Sequence, residues 1–338
     1  MSKHKKQIIS HENSIYIVGE DDFDPKHIFE NGQAFRWDEE DGAYTIVAGR
    51  YVTLVKRLTD RQIHQELIEG RSDPLGLPNG YNFQQNDPPS DIESIYPKVI
   101  KLENAGTMQD YENFWCKYFD MDRDYKKLRR EFSKMDPHLK KAVRFATGFR
   151  VLQQDLFEMI ISFIISSNNN IGRIKSTISK LCAIAGEPLG EYNGKIRYRF
   201  PTPEKIAALS AEQISKETGA GYRGEYIQKT AAMIAAGEVD LDLIRRSSYG
   251  SAHEELLKLS GVGPKVADCI LLFGNGMDIA FPVDTWVIKL MNHFYLGQEK
   301  NVKKIKSKGV ELFGEKAGIA QQYLFYYARE NKIGTKLK

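Results

Sequence analysis

The sequence predicts an α+β protein in which a domain built on an antiparallel sheet precedes a mostly helical domain. Short runs rich in Val, Ile, Tyr and Thr, separated by Gly and acidic residues, lie at Ser14–Gly19, Ala43–Ala48 and Tyr51–Lys56 and are typical of antiparallel strands. From Lys126 onward the apolar residues recur at helical spacing instead. We therefore expect one domain over residues 1–125 and a second over residues 126–338.

The charge of the chain is unevenly distributed. The formal net charge is only +3 over 338 residues, which by itself does not indicate a nucleic-acid partner. From Lys300 to the end, however, ten Lys and Arg residues stand against three acidic ones. A basic flank suits contact with phosphate, although a solvated lysine-rich surface is the simpler explanation when the flank is considered alone.

Composition also limits the possible cofactors and the location. The three cysteines, Cys116, Cys182 and Cys269, are scattered, so they predict neither a disulfide framework nor a zinc or iron–sulfur site. We expect no metal and no cofactor. The N-terminus has no apolar run typical of a secretion signal, and no stretch approaches the length of a membrane span. These features favour a cytoplasmic protein with no membrane partner, and we expect a monomer.

The most informative segment is Leu257–Asp284. An apolar helical stretch breaks at a Gly-Val-Gly-Pro sequence containing Gly261 and Gly263, and a second helix begins at Lys265. Two glycines so close together allow a tight turn whose N–H groups face outward, which suits a phosphate at a helix N-terminus. A basic residue in the first turn gains nothing from the helix dipole, so Lys265 is a candidate functional residue.

This segment resembles the helix-hairpin-helix and Gly/Pro-Asp element of the base-excision DNA glycosylases, and Lys265 matches the lysine of the bifunctional members. Three further motifs resemble the 8-oxoguanine DNA glycosylases. They are G-Q-x-F-R-W from Gly32, S-S-N-N-N-I-x-R-I around Asn168, and the aromatic segment Gly318–Tyr327. The resemblance implies an N-terminal α+β domain and a helical helix-hairpin-helix domain, with DNA bound in a cleft. Ser72–Pro97, which we interpret as a long surface loop, has no match.

The resemblance implies a pocket for the flipped base. The Gly32 carbonyl would accept a hydrogen bond from N7–H of 8-oxoguanine, a proton that guanine lacks. Gln321 would meet the Watson–Crick edge of the base, and Phe325 and Cys269 would cover its two faces. Considered without the family, Gly32 is better explained as a helix C-cap and Cys269 as ordinary buried packing.

The resemblance also implies how the opened duplex is held. Asn168 would occupy the space left by the flipped nucleotide, and Tyr222 would wedge into the base stack beside it. Arg173 would contact the base opposite the lesion and favour cytosine, because arginine can donate two hydrogen bonds to an acceptor edge. Arg223 would contact the estranged base. On the residues alone, a helix end with a plain loop explains the three asparagines, and an exposed turn explains Gly219–Tyr226, the segment that carries Tyr222 and Arg223.

The function implied is that of an 8-oxoguanine DNA glycosylase with AP lyase activity, associated with the nucleoid and acting on duplex DNA that contains 8-oxoguanine opposite cytosine. Lys265 would be the nucleophile at C1′, giving a Schiff base and then strand cleavage by β-elimination. Asp284 would stabilise positive charge on the sugar, although a helix N-cap is its simpler explanation.

Two alternatives stay open at this point. One is an alkylation-repair glycosylase of the same superfamily, which uses the aspartate without a catalytic lysine. The other is a non-catalytic helix-hairpin-helix module in which Lys265 only meets phosphate. One position departs from the family pattern, because Trp286 stands where many relatives have a histidine that is proposed to contact phosphate.

Overall fold

The computed structural model of this protein describes residues 6–68 and 97–334, so the predicted loop lies outside the described residues except for Pro97. Six antiparallel strands form one sheet in the order β1-β2-β6-β5-β4-β3, and a separate hairpin pairs β7 with β8. The strands are Gln7–His11 (β1), Ser14–Val18 (β2), Trp37–Glu40 (β3), Ala43–Ala48 (β4), Tyr51–Arg57 (β5), Val99–Glu103 (β6), Pro188–Tyr192 (β7) and Lys195–Tyr198 (β8).

Helices dominate the second half of the chain, as the sequence predicts. The α-helices are Pro25–Phe29 (α1), Asp60–Ile63 (α2), Met108–Asp110 (α3), Cys116–Tyr118 (α4), Tyr125–Met135 (α5), Pro137–Phe145 (α6), Leu156–Ser166 (α7), Ile171–Ala185 (α8), Pro203–Ala207 (α9), Ala211–Thr218 (α10), Arg223–Ala235 (α11), Leu241–Arg246 (α12), Tyr249–Leu257 (α13), Pro264–Gly274 (α14), Thr285–Met291 (α15), Val302–Phe313 (α16) and Ala317–Glu330 (α17). Wider π-helical turns occupy His64–Ile68, Tyr111–Trp115 and Asn292–Leu296, and a 3₁₀ turn occupies Gly314–Lys316. In the described ranges, no helix has the length and apolar character needed to cross a bilayer.

Side-chain caps fix where the helices around the later site begin. Asp155 caps α7 by accepting a hydrogen bond from the Glu158 backbone N–H at 2.9 Å. The helix ends at Ser166, and α8 begins only at Ile171, with Asn170 as its cap. The run of three asparagines therefore separates two helices, as predicted, because asparagine caps a helix more readily than it continues one.

Two apolar cores meet between the sheet and the helices. The core of the sheet includes Trp115, Phe119 and Leu152, although Leu152 comes from the start of the helical region. The core of the helical region includes Phe35, which follows α1 in the first part of the chain. Each core thus includes a side chain from the other part of the chain.

The predicted domain boundary at residue 125 stays a prediction.

Buried polar groups also cross this junction. The fully buried Gln33 amide donates hydrogen bonds to the Ile28 and Arg150 carbonyls, both at 2.8 Å, and accepts one from the Leu152 N–H at 2.9 Å. Arg36 forms an ion pair of 3.2 Å with Glu158 on α7, and both side chains are about nine-tenths buried. Burial raises the pKa of the Glu158 carboxyl, and the charge of Arg36 opposes that shift.

Removing one member of this ion pair tests how firmly the junction depends on it. We expect Arg36→Met to lower the free energy of unfolding by about 3–5 kcal/mol, because it leaves the Glu158 carboxylate buried without a counter-charge. The double variant Arg36→Met/Glu158→Met should lose less than Arg36→Met alone, since no uncompensated charge remains. Urea unfolding monitored by fluorescence measures both. A double variant less stable than Arg36→Met would show that the ion pair is not the source of the loss.

Candidate active site

The helix-hairpin-helix predicted from the sequence is formed by α13, a tight turn and α14. Gly261 in this turn has φ +81°, a value that favours glycine. A Cβ at this position would lie 2.9 Å from side-chain atoms of Tyr226, so the contact also excludes a larger residue. Gly263 caps α14 in an extended conformation, with open space around the position of a Cβ. The turn therefore presents exposed backbone at the start of α14, as phosphate binding requires.

Beside the hairpin lies a cavity of about 550 Å³. It is enclosed by the loop after α1, by α7, α8, α14 and α17, and by the start of α15. Six of the predicted site residues line it, namely Gly32, Lys265, Cys269, Asp284, Gln321 and Phe325. Because these residues come from positions far apart in the chain, their convergence on one cavity of ligand size marks it as the candidate active site.

Two functional groups at this cavity lie at helix N-termini. Lys265 is in the first turn of α14, half-buried, with its Nζ 5.6 Å from the centroid of the Phe163 ring. Asp284 is the N-cap of α15 and accepts a hydrogen bond from the Val287 N–H at 2.8 Å. The capping interpretation of Asp284 is thus confirmed, and its second carboxylate oxygen makes no hydrogen bond to the described residues. The cavity therefore combines an amine with a carboxylate that has an uncommitted oxygen.

Cys269 lies one turn after Lys265 on α14 and lines the same cavity. Burial raises the pKa of its thiol to about 11, and the nearby positive charge of Lys265 opposes that shift. The thiol is therefore neutral near pH 7 and offers a polarisable apolar surface rather than a thiolate nucleophile. Lys265 is therefore the remaining candidate nucleophile at this cavity.

The loop that carries Gly32 is held rigidly by its neighbours. The buried Asn31 amide donates hydrogen bonds to the His27 and Ile28 carbonyls at 2.6 and 3.0 Å, and its Oδ1 accepts one from the Gln33 N–H at 3.0 Å. The interpretation of Gly32 as a helix C-cap is wrong, because α1 ends at Phe29 and Glu30 is its C-cap. The Asn31 side chain instead donates the hydrogen bonds that satisfy these carbonyls near the end of α1.

Gly32 itself has φ +94° and lies at the cavity. Its carbonyl receives no hydrogen bond from residues 6–68 or 97–334. An unpaired acceptor on a residue that lines a ligand-sized space favours a ligand that can donate an N–H to it.

Residues of α17 also line the cavity. Gln321 is 2% exposed, and its Oε1 accepts a hydrogen bond from the Gln322 Nε2 at 2.7 Å. The guanidinium carbon of Arg329 lies 5.5 Å from the centroid of the Phe325 ring, and Arg329 also donates a hydrogen bond to the Glu30 carbonyl. Trp286 lines the cavity as well, with Lys289 Nζ 5.0 Å from its ring centroid. The cavity thus offers aromatic faces and amide groups, which suit a planar base.

The residues predicted to hold the opened duplex lie outside the cavity. Asn168 is exposed, with φ +47°, and Arg173 is exposed on the first turn of α8. Tyr222, just before α11, is 58% exposed, which is unusual for an aromatic side chain and favours a binding role. These three side chains are therefore free to meet a ligand, and their contacts with DNA stay predictions.

Arg223 occupies a different environment. It is only 7% exposed, and its guanidinium donates hydrogen bonds to the Ser167 carbonyl and, at 2.9 Å, to the Asn168 carbonyl. In this structure Arg223 therefore fixes the loop between α7 and α8 that carries Asn168. The predicted contact between Arg223 and the estranged base stays a prediction.

Sequence reasoning did not assign roles to several residues that shape the cavity. These are Asn31, Gln33, Phe163, Gln322 and Arg329. Gln33 belongs to the G-Q-x-F-R-W motif, so the signal was present, but two of its hydrogen-bond partners, Arg150 and Leu152, lie more than a hundred residues away in the sequence. Among residues 6–68 and 97–334, no group of three or more His, Cys, Asp and Glu side chains is arranged to hold a metal ion.

Comparison with known proteins agrees with this geometry. Residues 15–160 match the family model described as 8-oxoguanine DNA glycosylase, N-terminal domain. Residues 161–315 match that of the HhH-GPD superfamily base excision DNA repair proteins. A probable N-glycosylase/DNA lyase of Methanothermobacter thermautotrophicus is 33% identical over 222 residues, which cover 60% of this chain and 70% of that protein. The chain belongs to the 8-oxoguanine DNA glycosylase family, in the HhH-GPD superfamily.

Solved structures of 8-oxoguanine glycosylases extend the similarity over nearly the whole chain. The Clostridium acetobutylicum 8-oxoguanine glycosylase/lyase, in complex with DNA containing cytosine opposite 8-oxoguanine, is 37% identical with a TM-score of 0.82. That match covers 98% of this chain and 100% of the other.

The N-glycosylase/DNA lyase of Arabidopsis thaliana is 36% identical in sequence over 206 residues, 58% of this chain and 56% of the plant protein.

Alkylation-repair enzymes are more distant from this 8-oxoguanine glycosylase family member. The 3-methyladenine DNA glycosylase of Archaeoglobus fulgidus has a TM-score of 0.64 at 19% identity, a similarity that concerns the fold alone. That distance, and the amine at the cavity, favour the 8-oxoguanine family over the alkylation-repair alternative. The base cavity likewise argues against a module that only binds DNA.

Proposed function

We propose that this protein is a bifunctional repair enzyme that releases 8-oxoguanine from duplex DNA and then cleaves the strand at the resulting abasic site. One observation carries the proposal: Lys265 lines the same cavity as Gly32, whose carbonyl makes no hydrogen bond within residues 6–68 and 97–334, and this cavity has room for a flipped base. The family membership of the chain supports the same activity.

Recognition of the lesion rests on the Gly32 carbonyl. N7 of 8-oxoguanine carries a proton and can donate to this acceptor, whereas N7 of guanine presents a lone pair. Leaving a buried acceptor unpaired costs about 1–3 kcal/mol. This corresponds to a preference of about tenfold to a hundredfold over guanine, so we infer that earlier steps of extrusion contribute further discrimination.

The chemistry assigned to Lys265 is nucleophilic. Its neutral amine attacks C1′ of the flipped nucleotide, a C–N bond forms, and the bond from C1′ to N9 breaks as the base leaves with a proton. Opening of the sugar ring gives a Schiff base between Lys265 and C1′. Loss of a proton from C2′ then expels the 3′ phosphate oxygen and nicks the strand. The uncommitted carboxylate oxygen of Asp284 supports a role in stabilising positive charge on the sugar.

Residues outside the cavity are proposed to hold the opened duplex. The exposed Asn168 would fill the gap left by the flipped nucleotide, and the exposed Tyr222 would wedge into the neighbouring step. Arg173 would contact the opposite base and favour cytosine. Arg223 supports these contacts by holding the carbonyl of Asn168.

Borohydride trapping on a duplex with one 8-oxoguanine tests the catalytic assignment. The wild-type protein should form a covalent adduct with the DNA. Lys265→Gln should bind the same duplex but give neither adduct nor free base, because it lacks the amine. Lys265→Arg is the matched control, since it keeps the charge without a usable nucleophile and should also be inactive.

Each other outcome of the trapping experiment has a distinct meaning. Excision at the normal rate by Lys265→Gln would remove Lys265 from the mechanism. Base release without trapping by the wild-type protein would indicate a monofunctional glycosylase. Binding by the wild-type protein without adduct or base release would indicate a DNA-binding module, for which Lys265→Arg should keep full function.

Asp284 can be tested without disturbing the helix that it caps. Asparagine is as good an N-cap as aspartate, so Asp284→Asn should unfold at about the wild-type temperature. The variant lacks the negative charge, and we expect its single-turnover excision rate to fall by at least about a hundredfold while DNA binding is largely kept. Thermal melting and rapid-quench assays on the same samples measure both. An unchanged excision rate would leave Asp284 as a helix cap only.

Arg173 determines the opposite-base preference if the proposal is correct. Excision opposite cytosine should exceed excision opposite adenine in the wild-type protein, and Arg173→Gln should reduce this ratio by about tenfold, since one bidentate contact discriminates by about 1–3 kcal/mol. Lys180→Gln, a change of the same charge at another exposed position of α8, should leave the ratio as it is. A ratio that Arg173→Gln does not alter would assign the preference to another residue.

A further inference from the structure

One face of α11 connects two regions that are proposed to act on DNA. Tyr222, Tyr226 and Thr230 follow one another at intervals of four residues, so their side chains lie along the same side of the helix. Tyr222, at the start of the helix, is 58% exposed, Tyr226 is 37% exposed, and Thr230 is fully buried. This face therefore runs from the surface into the protein.

The buried end of this face holds the hairpin turn between α13 and α14. The Thr230 hydroxyl donates a hydrogen bond to the Ser260 carbonyl at 2.9 Å. Tyr226 lies so close to Gly261 that a Cβ on the glycine would be 2.9 Å from the Cβ, Cγ and Cδ2 atoms of the tyrosine. Because the Gly261 backbone blocks this side, the Tyr226 ring cannot move toward the hairpin.

The exposed end of the face holds Tyr222. The Tyr222 and Tyr226 rings meet edge to face, with centroids 5.9 Å apart and planes at 82°. The guanidinium carbon of Arg223 lies 4.5 Å from the centroid of the Tyr222 ring while Arg223 binds the carbonyls of Ser167 and Asn168. Tyr222 is thus supported from two sides, by Tyr226 from the hairpin and by Arg223 from the loop of Asn168.

We propose that Tyr226 is a positioning residue that couples phosphate binding at the hairpin to insertion of Tyr222 beside the lesion. This inference rests on the proposed function. Unstacking a base step is unfavourable, so a side chain that enters the stack is pushed back toward the protein. Tyr226, immobile against Gly261, resists that displacement. Tyr222 consequently keeps its position relative to phosphates bound at the hairpin.

The test separates extrusion of the base from the chemical steps. Single-turnover excision is measured at saturating protein on a duplex with 8-oxoguanine opposite cytosine and 2-aminopurine beside the lesion, whose fluorescence reports unstacking. Strand nicking is measured on a duplex with a preformed abasic site, where no base needs to be extruded. The variants are Tyr226→Leu, Tyr226→Phe, Tyr222→Leu and the double variant Tyr222→Leu/Tyr226→Leu.

We expect Tyr226→Leu to slow excision by about tenfold, the upper range for loss of one aromatic pair, and to weaken the 2-aminopurine signal. Tyr226→Phe, which keeps the ring, should restore both to within about twofold of wild type. Nicking at the abasic site should change by less than about twofold in Tyr226→Leu. The double variant should be no slower than the slower single variant, because both changes interrupt the same contact.

Three results would overturn the inference. The first is excision by Tyr226→Leu at the wild-type rate. The second is an equal loss of excision and of abasic-site nicking in Tyr226→Leu, which would indicate a general structural defect. The third is a double variant whose loss of excision rate equals the product of the losses in the two single variants. Failure of the proposed function is distinguishable from all three, since the wild-type protein would then release no 8-oxoguanine in the same assay.

Discussion

The buried Gln33 side chain is the constraint on which the candidate active site depends. Its amide satisfies the carbonyls of Ile28 and Arg150 and the N–H of Leu152, so it joins the end of α1 to the segment that leads into α7. The Gln33 carbonyl accepts a further hydrogen bond from the Gln154 side chain at 2.8 Å. A fully satisfied buried network of this kind fixes one geometry, because any shift leaves polar groups unpaired. Gly32, the adjacent residue, is held in place as a result.

Helix starts position the two candidate catalytic groups at the cavity. Lys265 follows the Gly-Val-Gly-Pro turn by one residue, and Asp284 both ends the loop after α14 and caps α15. Since each group is attached where a helix begins, its position is set by backbone hydrogen bonds rather than by a flexible loop. One oxygen of this carboxylate therefore stabilises the fold, while the other makes no hydrogen bond to the described residues. The chemical role proposed for Asp284 is thus compatible with its structural role.

Local patterns predicted the parts of the fold that depend on nearby residues. The helix over Leu156–Ser166, the break at the three asparagines and the hairpin before α14 all follow from periodicity, caps and glycine, which act over a few residues. The strands β1 and β6 were not predicted, because β1 is an edge strand with polar residues and β6 is determined by pairing with β2 and β5, far away in the sequence. The hairpin of β7 and β8 was also missed.

The candidate active site likewise has features that the sequence predicted and features that depend on contacts between distant residues. The family resemblance named six residues that line the cavity, but the supports of Gly32 could not be found from sequence, since Gln33 meets Arg150 and Leu152 only in the folded chain. For Arg223, the motif indicated a base contact, whereas its burial against the end of α7 could be known only from the packing. A motif identifies a residue by type and order, and its actual partners depend on tertiary structure.

The arrangement implies that extrusion and recognition are separate stages. The groups proposed to act during extrusion, Asn168 and Tyr222, lie outside the cavity and meet stacked bases, which they cannot distinguish by an N7 proton. Gly32 lines the cavity, so its carbonyl is proposed to meet only a base that has already left the stack. On the proposed recognition, a normal guanine that is extruded leaves this acceptor unpaired and gains no compensating bond, so it should return to the duplex more readily than it reacts. Selectivity would then come from the ratio of return to reaction, and the rigidity that Gln33 gives to the Gly32 loop would preserve it.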